Sequence, residues 1–435
     1  MPNDRRLLIL TCLAVSFALT PSLARAVGDG EAGDPDWTRR QFRIVILGSS
    51  SAAGAGASRV EWSWAGRLQT ALKPLGYTVF NRSVSGSNTA ASLERFARDV
   101  EPLRPGYVIL ATSLVNELFY QQREAAARVF VENTKELIRR VESAGAVPIL
   151  AGPIPNNAFD RNHRRLIRDV YDQLETEGVM VWDFFNASDD GFGRWLEGFS
   201  DDGLHPTDRG HQALYDSIPI SYFFRRSEER LPAPPRLSPR AWRFAGEPRC
   251  QEFLVLTPPA PVSSWTLSFW LSASDVPAPS VILRTATLAL KYLGGRITLE
   301  SNLGSVTSAG SRADTRRAHV ALTYHAGRRT AVLYVNGAPA ASLNNVEGET
   351  DSFRLAGPET APGLQINDLL LYRTPLAAED VQILPAGQKL SRSLEAWLPL
   401  NVSPYRDPIN VLPSMVDVLA CRDAWTVVPA TANPQ

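Results

Sequence analysis

The residues able to do chemistry in this 435-residue chain fall in four short blocks. The first is "ILGSSSAAGAGAS", residues 46–58, where an apolar run from Phe42 to Leu47 opens into Gly, Ser and Ala. "NRSVSGSNT" follows with Gly86, "ATSLVNE" with Asn116, and "SDDGLHPTDRGH" with Asp202 three residues before His205. A small-residue loop after a strand either cradles a phosphate on bare backbone or carries a nucleophile at the sheet edge. The letters argue against phosphate. A P-loop needs Gly-Lys and then Ser or Thr, and no lysine lies in this loop. A dinucleotide fingerprint begins at Gly54-Ala55-Gly56 but meets Arg59 where its third Gly belongs. Asn81 stands where an acid would hold the ribose. The nucleophile elbow G-x-S-x-G also fails, because Ala52 fills its last place. What remains is a serine that needs a base, with an Asp-x-x-His unit to supply one.

These blocks can meet only if the elements before them share a sheet edge. From Gln41 to about Phe224, short apolar runs alternate with helical patterns. The strand candidates are "FRIVIL", "YTVF", "YVILA", "VPILA" and "VMVWDF". Between them lie "SWAGRLQTALKPLG", "REAAARVFVENTKELIRRVESAG" and "RRLIRDVYDQLETEG", whose apolar residues recur at helical spacing. Such alternation predicts a parallel sheet covered on both faces, with ligands beyond the carboxyl ends of its strands. All four blocks project there, and a helix is expected after Pro206. "LPAPPRLSP", residues 231–239, ends the pattern with four prolines and reads as a semi-rigid linker. Beyond it the apolar period becomes two, in "WTLSFWLS", "RITLES", "HVALTY", "TAVLYVNG" and "INDLLLYR", which predicts an all-β sandwich.

The order Gly-Ser-Ser, Gly, Asn and Asp-x-x-His over residues 42–224 resembles the SGNH (GDSL-type) serine hydrolases. The resemblance implies a three-layer α/β/α sandwich with a flavodoxin-like, parallel five-stranded sheet. It implies Ser50 as nucleophile, with Asp202 and His205 completing the triad. The Ser50 and Gly86 N–H groups and the Asn116 amide would form the oxyanion hole. Members are mostly esterases, lipases, thioesterases and carbohydrate deacylases without metal or organic cofactor, so neither is expected here. Two positions depart from the family pattern: Ser49 replaces the usual Asp, and Val115 replaces the Gly before Asn116. Residues 240–400 resemble laminin-G-like, concanavalin A-like domains, with a jelly-roll sandwich and frequent glycan binding. Trp265, Phe269, Trp270 and Tyr334 are expected in its core, with one of Phe269 and Trp270 facing outward.

Each residue also has a plainer use. Ser50 could belong to an ordinary tight turn, with Ser49 and Ser51 as rival nucleophiles. Asn116 could cap a helix, and Asp202 with His205 could form a surface turn. His163, His211, His319 and His325 are expected to be structural or solvated.

The N-terminus, "MPNDRRLLILTCLAVSFALTPSLARA", has basic residues, a short apolar run and a small-x-small end, and reads as an export signal over 1–26. Without it the chain carries 42 basic and 44 acidic residues. That leaves no basic excess for nucleic acid or an anionic membrane surface, and no stable membrane insertion is expected. Cys250 and Cys421 then remain as an even pair. An exported protein would join them in a disulfide, contributing about 5 kcal/mol through loop closure, unless both are separate buried thiols. The expected organisation is a signal at 1–26, a hydrolase domain at 41–225, a linker at 226–239 and a sandwich at 240–430. The expected protein is an exported serine esterase that deacylates, above all deacetylates, carbohydrate. A lipid esterase or lysophospholipase, a non-catalytic glycan-binding scaffold and an O-acyltransferase are the alternatives.

Overall fold

The computed structural model describes residues 40–225, 240–245, 254–273, 276, 279–308, 317–388, 390–401, 403, 410, 412, 414 and 416–430. The expected export signal, the expected linker and Cys250 lie outside the described residues.

In the first half, β1 (Arg43–Gly48), β2 (Thr78–Asn81), β3 (Tyr107–Ala111), β4 (Val147–Ala151) and β5 (Met180–Trp182) form a parallel sheet in the order β2-β1-β3-β4-β5. The inner strands β3 and β4 are apolar without a break because both faces are covered, whereas the edge strand β2 is exposed at both ends. Val45, Leu47, Val108, Leu110 and Leu150 belong to one core, with α3 (Thr89–Asp99), α4 (Phe119–Ser143) and α5 (Arg161–Glu175). Ile44, Ile46, Ile109 and Ile149 alternate with them and are equally buried. The remaining helices are α1 (Ser50–Ala53), α2 (Trp64–Leu72), α6 (Phe184–Ser188), α7 (Asp208–Asp216) and α8 (Ser221–Arg225). Side-chain oxygens of Ser63, Asn88, Asp160 and Thr207 cap α2, α3, α5 and α7, so polar residues ahead of apolar periods fix where the helices start. Two elements differ from expectation. The run "VMVWDF" stops being a strand at Trp182, because Asp183 accepts a hydrogen bond from the Asn186 amide (3.0 Å) and starts α6. Helix α3 was not foreseen, because its apolar face is sparse.

The second half is all-β. Its strands are β6 (Arg240–Phe244), β7 (Leu254–Thr257), β8 (Trp265–Ser272), β9 (Ser280–Arg284), β10 (Leu288–Leu293), β11 (Arg296–Ser301), β12 (Gly304–Thr307) and β13 (Ala318–His325). They continue as β14 (Thr330–Val335), β15 (Ala338–Asn344), β16 (Phe353–Leu355), β17 (Gln365–Tyr372), β18 (Leu394–Leu398), β19 (Asp417–Ala420) and β20 (Trp425–Pro429). Among the described residues they make one sheet ordered β12-β11-β10-β9-β16-β7-β19 and a second ordered β15-β14-β13-β8-β17-β6-β20, with β18 on β17. Trp265, Leu267, Phe269 and Leu322 lie in the core that includes residues of both sheets. Of the pair Phe269 and Trp270, Phe269 lies in this core and Trp270 takes the opposite face of β8, yet that face is not open to solvent. Trp270 is 5% exposed, beneath the Arg317 guanidinium at 4.4 Å and edge-on to His319. Both faces of β8 are buried. Elsewhere on this sheet Ala321, Leu370 and Tyr372 pack in a second cluster that includes Tyr222 of α8.

The sandwich therefore docks on the α/β half. The Ser393 amide donates to the Val181 carbonyl at 2.7 Å, and the Asp183 amide donates to Ser393 Oγ at 2.8 Å. With the parallel bridge between Val181 and Arg392, this covers the exposed edge of β5. The Arg392 side chain, 1% exposed, pairs with Glu175 (3.1 Å), Asp380 (3.0 Å) and Asp172. Cys421 is disulfide-bonded.

Candidate active site

Strand β1 ends at Gly48, and a side chain there would sit 2.7 Å from Ala52 Cβ and 2.8 Å from the Ala111 carbonyl. Only glycine lets the chain turn so closely over β3 into α1, whose first residue is Ser50. Asn81, at the end of β2, braces this turn by donating to the Ala52 carbonyl (2.7 Å). The phosphate alternative had placed an acid at that position.

The loop beyond α1 then meets the segment carrying His205. Gly56, at φ +88°, has no room for a Cβ, which would lie 2.3 Å from the Pro206 carbonyl and 3.0 Å from His205 Cβ. Ser58 donates through its amide (2.8 Å) and hydroxyl (2.7 Å) to the Asp208 carboxylate. His211 holds the same loop: one ring nitrogen faces the Ala55 carbonyl (3.1 Å) and the other accepts from the Trp64 amide (3.2 Å). Burial pushes the His211 pKa down to about 4, although the Ala55 carbonyl favours the proton.

Within this frame Ser50 Oγ lies 3.1 Å from His205 Nε2, and His205 Nδ1 lies 2.8 Å from Asp202 Oδ2. Asp202 Oδ1 accepts from the amides of Leu204 (2.8 Å) and His205 (2.7 Å). Some burial opposes its charge, but the hydrogen bonds from the His205 amide and ring and from the Leu204 amide outweigh it. They hold the carboxyl well below the usual carboxylate range. With Nδ1–H donated to that carboxylate, Nε2 is left as acceptor for the serine proton. A hydroxyl, an imidazole and a carboxylate spread over more than 150 residues thus form one hydrogen-bonded chain, the arrangement that a nucleophile, its base and an orienting acid require.

Asn116 sits in the turn Leu114–Glu117 after β3. Its Nδ2 donates to Ser49 Oγ (2.7 Å) and to the Ser87 carbonyl (3.0 Å). The amide expected to face an oxyanion thus spends both protons joining the Ser50 loop to the Gly86 loop. Gly86 occupies a turn at φ +77°, closed by the Ser87 amide on the Val84 carbonyl (3.0 Å). Among the described residues, neither the Ser50 nor the Gly86 amide has a hydrogen-bond partner.

Two supporting residues escaped sequence reasoning. Arg95 donates to the Gly48 carbonyl (3.0 Å) and to the Arg82 carbonyl, and pairs with Asp99 (2.9 Å). Glu117 accepts from the Thr89 amide and hydroxyl, both at 2.6 Å, anchoring α3 to the Asn116 turn. The i,i+4 spacing of Arg95 and Asp99 was visible in the sequence, but their long-range targets were not. The other histidines are buried: His163 completes the cap of α5, and His319 and His325 lie within the sandwich.

A pocket adjoins Ser50. Its apolar wall includes Trp64, Leu114, Ile154, Phe159, Phe184 and Leu204. No group of three or more His, Cys, Asp or Glu among the described residues could hold a metal ion, and no described helix is long and apolar enough to cross a membrane.

Residues 46–213 match the model of the GDSL-like lipase/acylhydrolase family. No curated protein matches the chain. Among solved structures, TesA is 21% identical, with 40% of this chain and 94% of that one covered at a TM-score of 0.35. A catalytic mutant of Axe2, an acetylxylan esterase from Geobacillus stearothermophilus, is 17% identical, with coverage of 40% and 90% and a TM-score of 0.33. LAE5, an alpha/beta hydrolase enzyme from the metagenome of Lake Arreo, Spain, is 19% identical, with coverage of 40% and 92% and a TM-score of 0.33.

Proposed function

Because residues 46–213 belong to the GDSL-like lipase/acylhydrolase family, whose members hydrolyse carboxylic esters, we propose that Ser50, His205 and Asp202 carry that reaction through an acyl-enzyme. As the Ser50 Oγ–carbon bond forms, His205 Nε2 takes the hydroxyl proton. The Asp202 carboxylate keeps the ring in the accepting tautomer and stabilises the imidazolium. The open Ser50 and Gly86 amides receive the charge growing on the carbonyl oxygen, and Asn116 adds its amide once the oxyanion displaces one of its present acceptors. His205 then returns the proton to the leaving alkoxide as the ester C–O bond breaks. Water attacks the acyl-enzyme by the same route.

The observation that carries this reading is the unbroken chain from Ser50 Oγ through His205 to Asp202, at 3.1 and 2.8 Å. Ser50→Ala tests it: hydrolysis of a short acetyl ester should fall by orders of magnitude with the fold retained. An unchanged rate would remove Ser50 from the mechanism.

The favoured substrate is an acylated, above all acetylated, carbohydrate presented outside the cytoplasm. The appended sandwich supports this by analogy with lectin-type domains. The bonded Cys421 supports an oxidising compartment. The apolar wall of the cavity favours a second reading, a lipid esterase. A panel of acetyl esters, acetylated polysaccharides and long-chain esters separates the two, and preference for long chains would end the deacetylase reading.

A further inference from the structure

The sandwich reaches the triad-bearing loop through one hairpin. Between β13 and β14 the chain turns at Ala326–Arg329, closed by the Arg329 amide on the Ala326 carbonyl (3.2 Å). Gly327, in that turn, presses on the α/β half. A Cβ there would lie 2.7 Å from Leu196 Cδ1 and 3.0 Å from Phe199 Cζ. Its backbone angles do not require glycine, so closeness of approach is the reason for the bare position. The neighbouring Arg328 guanidinium donates to the Asp189 carbonyl.

Asp189 and Phe199 are the fixed points of the excursion that ends in Asp202 and His205. Asp189 Oδ1 accepts the Gly193 amide (2.6 Å), and the Leu196 amide returns to the Ser188 carbonyl (3.0 Å). The Phe199 carbonyl accepts the Thr207 amide (2.9 Å), while Thr207 Oγ1 donates to the Gly198 carbonyl (2.8 Å). Ser200 Oγ donates to the His205 carbonyl (2.7 Å). The loop 200–206 is therefore strung between residues that bond to Phe199 or follow it directly, and Phe199 is the residue Gly327 touches. Asp202 and His205 are themselves only partly buried, with 55% and 24% of their side chains exposed. Packing at the loop's base must supply what burial of its tip does not.

Resting on the triad reading above, we propose that the sandwich is a working part of the catalytic unit: Gly327 and Arg328 are positioning residues that hold the Asp202–His205 loop in register with Ser50. A displacement of about 1 Å at a reacting group can cost about 100-fold in rate. Glycan capture by the sandwich would act on KM for polymers, whereas this role acts on kcat for any ester.

The test uses the full chain and a small soluble acetyl ester. Arg328→Ala and Gly327→Leu should each lower kcat about 10- to 100-fold with KM changed less than about threefold. Arg328→Lys, which keeps a donor for the Asp189 carbonyl, should recover part of the loss. Arg296→Ala, on the far sheet, should leave kcat unchanged. Circular dichroism checks folding, and Arg328→Ala, an exposed side chain, keeps the test valid should Gly327→Leu misfold. Unchanged kcat in folded Arg328→Ala, with Ser50→Ala inactive, would overturn this inference alone. Activity surviving in Ser50→Ala would overturn the triad reading and this inference with it.

Discussion

Substituting Asp202 by Asn separates orientation from bulk. In the native site Oδ1 accepts two amides, Leu204 at 2.8 Å and His205 at 2.7 Å, and Oδ2 faces His205 Nδ1 at 2.8 Å. Amides can only donate, so an asparagine must turn its carbonyl oxygen toward them and its NH2 toward Nδ1. Nδ1 then has to accept, and the imidazole proton moves to Nε2. That places an N–H opposite Ser50 Oγ, 3.1 Å away, where a lone pair is needed. The base is lost although every atom stays close to its place. In serine hydrolases such a tautomer reversal costs about 10⁴-fold in kcat, or roughly 5.5 kcal/mol of barrier. The stability loss should be small beside the kinetic one, because the Asp202 side chain is 55% exposed and both amide contacts survive, although they lose the carboxylate's charge. Steady-state kinetics on a chromogenic acetyl ester, with a melting curve for each protein, checks both halves. A kcat loss under tenfold in a folded protein would refute the tautomer argument.

The other expectations concern the clamp, the fold and its response to acid. Asn116→Ala removes the bridge between Ser49 Oγ and the Ser87 carbonyl as well as the amide proposed as third oxyanion donor, so kcat should fall about 100- to 1,000-fold; single-turnover kinetics measures this. Arg392→Ala leaves Glu175 without its cation and Asp380 with Arg168 alone (2.8 Å), and should cost about 3–5 kcal/mol, read from the denaturant midpoint of the full chain. His211 has a folded pKa near 4, below its unfolded value of about 6.5. The unfolded chain therefore takes up the proton first. The stabilisation is complete above about pH 6.5 and is lost as pH falls toward 4, with roughly 2 kcal/mol gone by pH 5. His211→Gln should flatten that part of the stability–pH curve, and an unchanged slope would contradict the neutral, buried histidine.

Much of this architecture could be read from the residues, and the failures have physical causes. The strands "YVILA" and "VPILA" match β3 and β4 to the residue, since a strand buried on both faces is an unbroken apolar run. Helix α3 was missed because its buried positions include the polar residues Thr89, Ser92 and Arg95, and Thr89 and Arg95 find Glu117 and the Gly48 carbonyl only in the folded chain. The outward face expected at Trp270 is buried because alternation along a strand cannot reveal what covers the second face. At the site, Asp202 and His205 were legible because they are three residues apart, and Ser50 through its loop and the family order. The double commitment of the Asn116 amide was not legible, because Ser49 and Ser87 become its neighbours only after three loops converge. The hairpin contact at Gly327 lay between two halves that read as separate domains.

The central claim is that the hydroxyl of Ser50, and no neighbouring serine, is activated by His205. Treating the full chain with a small fluorophosphonate and mapping the adduct by mass spectrometry tests it most directly. The adduct should fall on Ser50, form far more slowly in Asp202→Asn, and be absent in Ser50→Ala. An adduct on Ser49 or Ser51, or labelling that persists in Ser50→Ala, would contradict the account.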